Sequence, residues 1–323
     1  MKKILITGVA GMIGSHLLDA LLSVGHRVIG IDNLDVGKMD NIRHNLHNSS
    51  FKFIKADILE YNSVKEASIG ADAIIHLAAR KKIGESGDAF NTLAVNCDGT
   101  RNVFEAARKK KIKVVFASTS DVYGISPDFP FREDGNLLIG PPTAKRWAYA
   151  VSKLYGEQTA FTYYKEFKVP VVVIRYFGCF SPRSCFAWSG GHIPVFIEAI
   201  LENREVVIHG DGRQTRSMGY IDDFVRGTML AMNREGAVGQ IINIGNDEEI
   251  SVIDSAYLIH KLADTGKRLR IRFIPYEKIF GDYKDIMRRI PDLNKAKKLL
   301  GYVPMVSFKE AIKKVIDVRK RKK

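Results

Sequence analysis

The chain has 323 residues, more than one simple core needs and enough for a dinucleotide-binding domain plus a smaller second lobe. Hydrophobic residues make up 46% and charged residues 27%, ordinary for a soluble globular protein, and no apolar run reaches membrane-spanning length. The net charge of +14 is dispersed apart from residues 109–111 and the tail 319–323, both read as solvated, and no helix-turn-helix, zinc-finger or RNP-type signature accompanies it, so nucleic acid is not an expected partner.

The apolar residues 4–6 are broken at once by Thr7 and Gly8, so the amino terminus does not read as a signal peptide. Cys97, Cys179 and Cys185 are odd in number and lack C-x-x-C spacing. They read as reduced thiols of a cytoplasmic protein, with neither a disulfide framework nor a metal site expected.

Residues 3–7 form a short apolar run ending in T-G-V-A-G-M-I-G, Thr7 to Gly14. Ile13, Leu17, Ala20, Leu21 and Val24 then recur at helical spacing, and Gly25 supplies the stop. Further strands are predicted at 27–31, 51–54, 73–77, 114–118 and 171–175, with helices notably at 90–108 and 148–167. Such alternation predicts an α/β fold, a Rossmann-type doubly wound parallel sheet with helices on both faces. Ligands of these sheets sit at the carboxyl ends of the strands, which here offer Gly8, Asp32, Asp57, Leu77 to Ala79, Thr119 and Phe177. From about Gly178 the pattern shifts to glycine-rich loops at 189–191 and 210–212 and strands at 206–209 and 240–245. This predicts a dinucleotide-binding domain over 1–177 and a smaller C-terminal substrate lobe over 178–323, some segments of which return to the first domain.

Gly8, Gly11 and Gly14, set between a strand and a helix, let a backbone approach a pyrophosphate closely, and the helix N-terminus then stabilises the phosphate charge. Asp32 ends the next strand, placed to accept hydrogen bonds from the adenosine ribose. A carboxylate there repels a 2′-phosphate, so NAD is expected over NADP. Tyr149 and Lys153 are spaced i, i+4 and share one helix face. A tyrosine titrates near pH ~10 and is a poor base unless a cation stabilises its phenolate, the part given to Lys153. Thr119 offers a hydroxyl to the same substrate oxygen. His76 reads as a packed core residue, and Asp222 and Asp223 as caps of the following helix.

With these segments in place, the sequence resembles the extended short-chain dehydrogenase/reductase superfamily in its NAD-dependent nucleotide-sugar epimerase/dehydratase branch, and most of all UDP-glucose 4-epimerases. The resemblance rests on T-G-V-A-G-M-I-G, I-D-N-L from Ile31, A-D-I from Ala56, H-L-A-A-R-K-K-I-G-E-S from His76, S-T-S-D-V-Y-G from Ser118 and Y-A-V-S-K from Tyr149. It continues through R-Y-F from Arg175, H-G-D-G-R-Q-T-R from His209, Y-I-D-D from Tyr220 and R-R-I-P-D from Arg288.

The resemblance implies that Met12, Ile13, Asp32, Asn33, Asp57, Ile58, Leu77, Ala78, Ala79, Lys81, Asn96 and Phe177 line the NAD site, with Lys153 on the nicotinamide ribose. It implies Tyr149 as base at the sugar hydroxyl, Thr119 assisting, Lys81 near cofactor and substrate, and Arg216 and Arg289 clamping the substrate diphosphate. A homodimer built on helices 90–108 and 148–167 is expected from the same source and from their apolar and aromatic positions.

Departures from the family pattern refine this. Gly178 stands where relatives carry an Asn that contacts the sugar or diphosphate, and Phe180-Ser181-Pro182-Arg183 replaces Y-G-P-R, so the pocket is expected to be roomier or rebuilt. Ser120-Asp121 lacks the Asp-Glu pair of the 4,6-dehydratases. UDP-glucuronate decarboxylases carry T-S-E where this chain has Thr119-Ser120-Asp121, one methylene short. On that difference, and on the likeness of the stretch from His76 to Ser86, with Lys81 in it, to that of epimerases, the expected reaction is 4-epimerisation of a UDP-hexose or UDP-uronate through a 4-keto intermediate, with UDP-glucuronate decarboxylation as the alternative. A non-catalytic NAD-sensing or RNA-binding protein is the alternative of another class.

Overall fold

The computed structural model describes residues 1–81, 88–184, 191–276, 278 and 286–321. Cys185, residues 82–86 of the family-like stretch and part of the 189–191 loop lie outside them.

In chain order the first half runs β1 (Lys3–Thr7), α1 (Met12–Ser23), β2 (Arg27–Asp32), β3 (Phe51–Lys55), α2 (Tyr61–Ala67) and β4 (Ala73–His76). It continues with α3 (Ala89–Arg108), β5 (Lys113–Thr119), α4 (Trp147–Phe167) and β6 (Val171–Tyr176). The second half holds β7 (Gly178–Phe180), α5 (His192–Leu201), β8 (Val206–His209), β9 (Thr215–Tyr220), α6 (Ile221–Asn233) and β10 (Gln240–Ile244). Then come β11 (Glu249–Ser251), α7 (Val252–Ala263), β12 (Ile271–Ile274), β13 (Arg288–Arg289), α8 (Asn294–Leu300) and α9 (Phe308–Arg321).

Seven parallel strands form the main sheet in the order β3-β2-β1-β4-β5-β6-β10. The strand order reverses between β1 and β4, and the crevice at that switch point takes ligands in folds of this kind. Parallel strands covered by helices on both faces need continuous apolar runs. Ala73–His76 and Val171–Tyr176 are accordingly buried at every position.

The strand expected at 240–245 in the second lobe is instead β10, parallel to β6 at the edge of the main sheet. Helix α6 before it packs on α1, β5 and β6. Periodicity reveals a strand but not its partner. The remaining second-half strands build two small sheets, one joining β7, β9, β11 and β13 and the other pairing β8 with β12.

Asp222 and Asp223 fall in the first turn of α6, but Tyr220 is the N-cap, so neither caps the helix. Asp223 instead accepts backbone N–H bonds from Met305 at 2.9 Å and Val306 at 3.1 Å, tying the last segment to this helix. The basic tail is helical through Arg321, and Arg319 pairs with Glu198 rather than fraying. Among the described residues no helix is long and apolar enough to cross a membrane.

Candidate active site

Two cavities of about 420 Å³ each meet along Gly8, Gly11, Leu77 and Ala79, at the carboxyl ends of β1 and β4. Together they bring in every residue expected from the sequence to bind cofactor or substrate or to act in catalysis, except Asn96.

Close packing fixes the glycines where the two cavities meet. Gly8 has φ +76°, and a Cβ there would stand 2.7 Å from the Ala78 nitrogen. A Cβ on Gly14 would stand 2.2 Å from the Gly8 oxygen, so α1 can approach the sheet only with glycine at that place. Among the described residues a Cβ on Gly11 meets only the Gly8 oxygen, at 3.2 Å, and otherwise enters the cavity. No side chain caps α1, so its first-turn N–H groups remain for an anion. These residues fit the pyrophosphate of a dinucleotide.

Asp32 is 8% exposed and accepts N–H bonds from Ala10 at 2.9 Å and Leu34 at 2.8 Å. Burial raises its carboxyl pKa, and the two N–H groups work the other way. A Cβ on Gly37 would lie 2.8 Å from both carboxylate oxygens, so that glycine leaves the acid room. Asn33 donates to Asp57 at 2.8 Å, and with Ile58 and Ala78 they line the same cavity as Asp32. Arg80, which spacing could not single out, pairs with Asp35 across the mouth of this cavity.

Asn96 is 2% exposed and lines neither cavity. Its side chain holds the Arg80 backbone in both directions, at 2.7 and 3.0 Å, and donates to Ser152 at 2.9 Å. It therefore positions the loop after β4 rather than touching the cavity. His76 is fully buried between Thr7, at 2.7 Å, and Thr100, at 3.0 Å. Burial pushes it down to about 3, so it is a neutral packed residue as expected.

The second cavity holds Thr119, Tyr149 and Lys153 together with Met12, Ile13 and Phe177. A buried network fixes α4 against β5 and β6 and so sets their spacing: Glu157 pairs with Arg175 at 2.7 Å and accepts the Ser118 hydroxyl. Lys153 donates to the Ala117 oxygen at 2.7 Å, and burial lowers it to about 7. Burial raises the Tyr149 phenol and the charge of Asp121 adds to this, while hydrogen bonding with Thr119 opposes both. The Lys81 ammonium lies over the Tyr149 ring, 5.1 Å from its centroid.

Asp121 meets Arg289 at 2.6 Å and Lys81 at 3.2 Å. Burial alone would raise its pKa, but Lys81, then Arg289 and Arg146, hold the carboxyl far below the ordinary range. Arg289, expected in the diphosphate clamp, lies beside Asp121 on the wall of this cavity. Its register partner Arg216 donates to the oxygens of Thr215 at 2.8 Å and Ile286 at 2.7 Å while lining the same cavity.

Gly178 does not make the pocket roomier. A Cβ there would stand 2.2 Å from Met218 Sδ, so the thioether fills the space of the missing side chain and the wall is rebuilt. Met218 and His192 line the cavity without any sequence signal that marks them. Among the described residues no cluster of three or more His, Cys, Asp or Glu could hold a metal ion, and Cys97 and Cys179 are free thiols.

Residues 4–245 match the model of the NAD dependent epimerase/dehydratase family. The chain is 38% identical over 318 residues to a UDP-N-acetyl-alpha-D-glucosaminuronate decarboxylase of Bacillus cytotoxicus, covering 98% of this chain and 97% of that one. It is 34% identical to UDP-glucuronic acid decarboxylase 1 of Danio rerio, covering 98% and 72%. Among solved structures, UDP-glucuronic acid 4-epimerase from Bacillus cereus, in complex with UDP-glucuronic acid and NAD, superimposes with a TM-score of 0.89. That pair is 33% identical and covers 99% and 100% of the two chains.

Proposed function

Because the chain belongs to the NAD-dependent epimerase/dehydratase family of nucleotide-sugar enzymes, we propose that it oxidises carbon 4 of a UDP-uronate and decarboxylates the resulting ketone at carbon 5. The carrying observation is the Asp121–Arg289 contact of 2.6 Å. The expectation of epimerisation rested on the likeness of residues 76–86 to the epimerase stretch, with Lys81 in the family's position, and on Asp121 being shorter than a Glu. Asp121 reaches both Lys81 and Arg289, which supports decarboxylation against the second of these reasons.

Charge favours a uronate over a neutral hexose. Lys81, Arg289 and Arg146 all act on the single negative charge of Asp121, an excess of positive charge that suits an anionic sugar. NAD bound along these cavities would supply reversible hydride acceptance at carbon 4. Gly8, Gly11 and Gly14 receive its pyrophosphate and Asp32 its adenosine ribose. Tyr149 takes the proton of the carbon-4 hydroxyl, with Lys153 stabilising the phenolate and Thr119 holding the same oxygen. The bond between carbons 5 and 6 then breaks, and its electron pair moves into the carbon-4 carbonyl. Tyr149 and Thr119 stabilise that oxygen as it gains charge. Carbon dioxide leaves and carbon 5 takes a solvent-derived proton.

Retention of the carboxylate with return of the hydride on the other face is the second reading, supported by the likeness to the solved 4-epimerase. Incubation with UDP-glucuronate and NMR of the product tests the choice: a UDP-pentose is expected, and an epimeric UDP-uronate contradicts it.

A homodimer through α3 and α4 belongs to the same proposal. Phe90 is 80% exposed on α3, and Val151 and Tyr155 are 44% and 41% exposed on α4. The two helices pack side by side, so two copies would bury these positions in a four-helix interface.

A further inference from the structure

The edge strand β10 reads Gln-Ile-Ile-Asn-Ile, and its Asn243 is fully buried between two isoleucines. An amide in such a place is costly unless its polar atoms are bonded. Those of Asn243 are. Its side-chain oxygen accepts the Tyr123 hydroxyl at 2.8 Å. Its side-chain nitrogen donates to the Phe131 oxygen at 2.9 Å and the Asp292 oxygen at 3.3 Å. Its backbone N–H meets the Glu133 carboxylate at 2.8 Å. The Phe131 backbone in turn accepts from Asp292 at 2.8 Å and donates to Ile290 at 2.9 Å. The rings of Tyr123 and Phe131 are buried and stack with centroids 4.6 Å apart, so this network stands out of water.

These partners belong to the two chain segments that carry the Asp121–Arg289 contact. Tyr123 follows Asp121 by two residues, and Asp292 follows Arg289 by three. Asn243 lines neither cavity, and its bonds among the described residues go to neither member of the contact. A buried amide with all its bonds made admits one arrangement of the groups around it. We infer that Asn243 is a positioning residue, a single buried amide that sets Asp121 and Arg289 against each other from the edge of the main sheet. This deepens the proposed reaction and rests on it only for the use made of that contact. Asn243 acts through Tyr123, Phe131 and Asp292, so it orders the site without touching a substrate.

The test is a thermodynamic cycle on the protein saturated with NAD, read from urea unfolding at pH 7. Arg289→Met and Asn243→Ala are made singly and together. Substitutions at sites that share no network multiply in their effect on the unfolding constant, to within about 2-fold. Here the double variant is expected to fall at least ~3-fold short of the two single effects multiplied, because without Asn243 the guanidinium has already lost its place beside Asp121. Should Asn243→Ala not fold, Tyr123→Phe removes the bond nearest Asp121 and carries the same expectation. Consumption of UDP-glucuronate, whatever is formed from it, should fall at least ~10-fold in either variant, the scale of a small misplacement, while the NAD-induced rise in melting temperature stays unchanged. A smaller shortfall in the cycle, or a smaller loss of turnover, overturns the inference. Absence of UDP-glucuronate turnover in wild type overturns the proposed reaction alone, because the cycle reads the contact and not the chemistry.

Discussion

The carboxylate of Asp121 meets the guanidinium of Arg289 at 2.6 Å, although 168 positions separate them in the chain. One residue follows the catalytic strand β5, and the other lies on the two-residue strand β13 of a different sheet. Their contact joins the two halves of the molecule at the place where the sugar would react.

Asp121→Asn should therefore damage both activity and stability. It leaves Arg289 and Lys81 without their counter-charge, a loss of up to ~3 kcal/mol for a buried pair. Decarboxylation should fall at least ~100-fold while NAD binding persists. The folded carboxyl is held far below its unfolded value of ~3.9, so this stabilisation is complete at neutral pH and is lost only as pH falls below about 4. Thermal melts at pH 7 and pH 3 check it: the gap between variant and wild type should narrow at the lower pH.

Tyr149→Phe should lower turnover by at least ~100-fold, the scale of a lost general base, and leave NAD binding nearly intact. Wild-type activity in that variant would remove Tyr149 from the mechanism.

Asp32 carries the expectation of NAD over NADP. NAD should raise the melting temperature clearly more than NADP at equal concentration, because a 2′-phosphate brings charge against a buried carboxylate. Asp32→Ser should narrow the difference. Equal stabilisation of wild type by both cofactors would contradict the assignment.

Lys153 gives the cofactor-free protein an unusual pH dependence. Burial lowers it to about 7, against ~10.4 in the unfolded chain. Between those values the unfolded chain holds a proton that the folded one has released, so this group makes stability rise with pH across the window. Below about 7 the buried charge destabilises in full. Lys153→Met should flatten that rise, read from melts between pH 6 and 10, and an unchanged slope would show that the lysine is better solvated than its burial implies.

Much of this site was legible in the sequence because it is local. The strand ends at Gly8, Asp32 and Thr119 and the pair Tyr149–Lys153 each depend on spacing within one element and its neighbour. What escaped depends on partners far along the chain. The strand at 240–244 reads as any apolar run until β6 pairs with it. Gly178 suggests an empty place until Met218, across a ladder from another segment, is seen to fill it. Asn96 carries a family role in its position, but its amide is used on the Arg80 backbone. The difference between Asp and Glu at position 121 could not be weighed without the location of Arg289.

The most direct measurement is conversion of UDP-glucuronate in deuterated water, followed by proton NMR of the product. Decarboxylation makes a new bond from carbon 5 to a solvent-derived proton, so the account predicts a UDP-pentose with one deuterium at carbon 5. A UDP-uronate inverted at carbon 4 with no deuterium on the ring would contradict it, and so would loss of water to a 4-keto-6-deoxy sugar from a UDP-hexose.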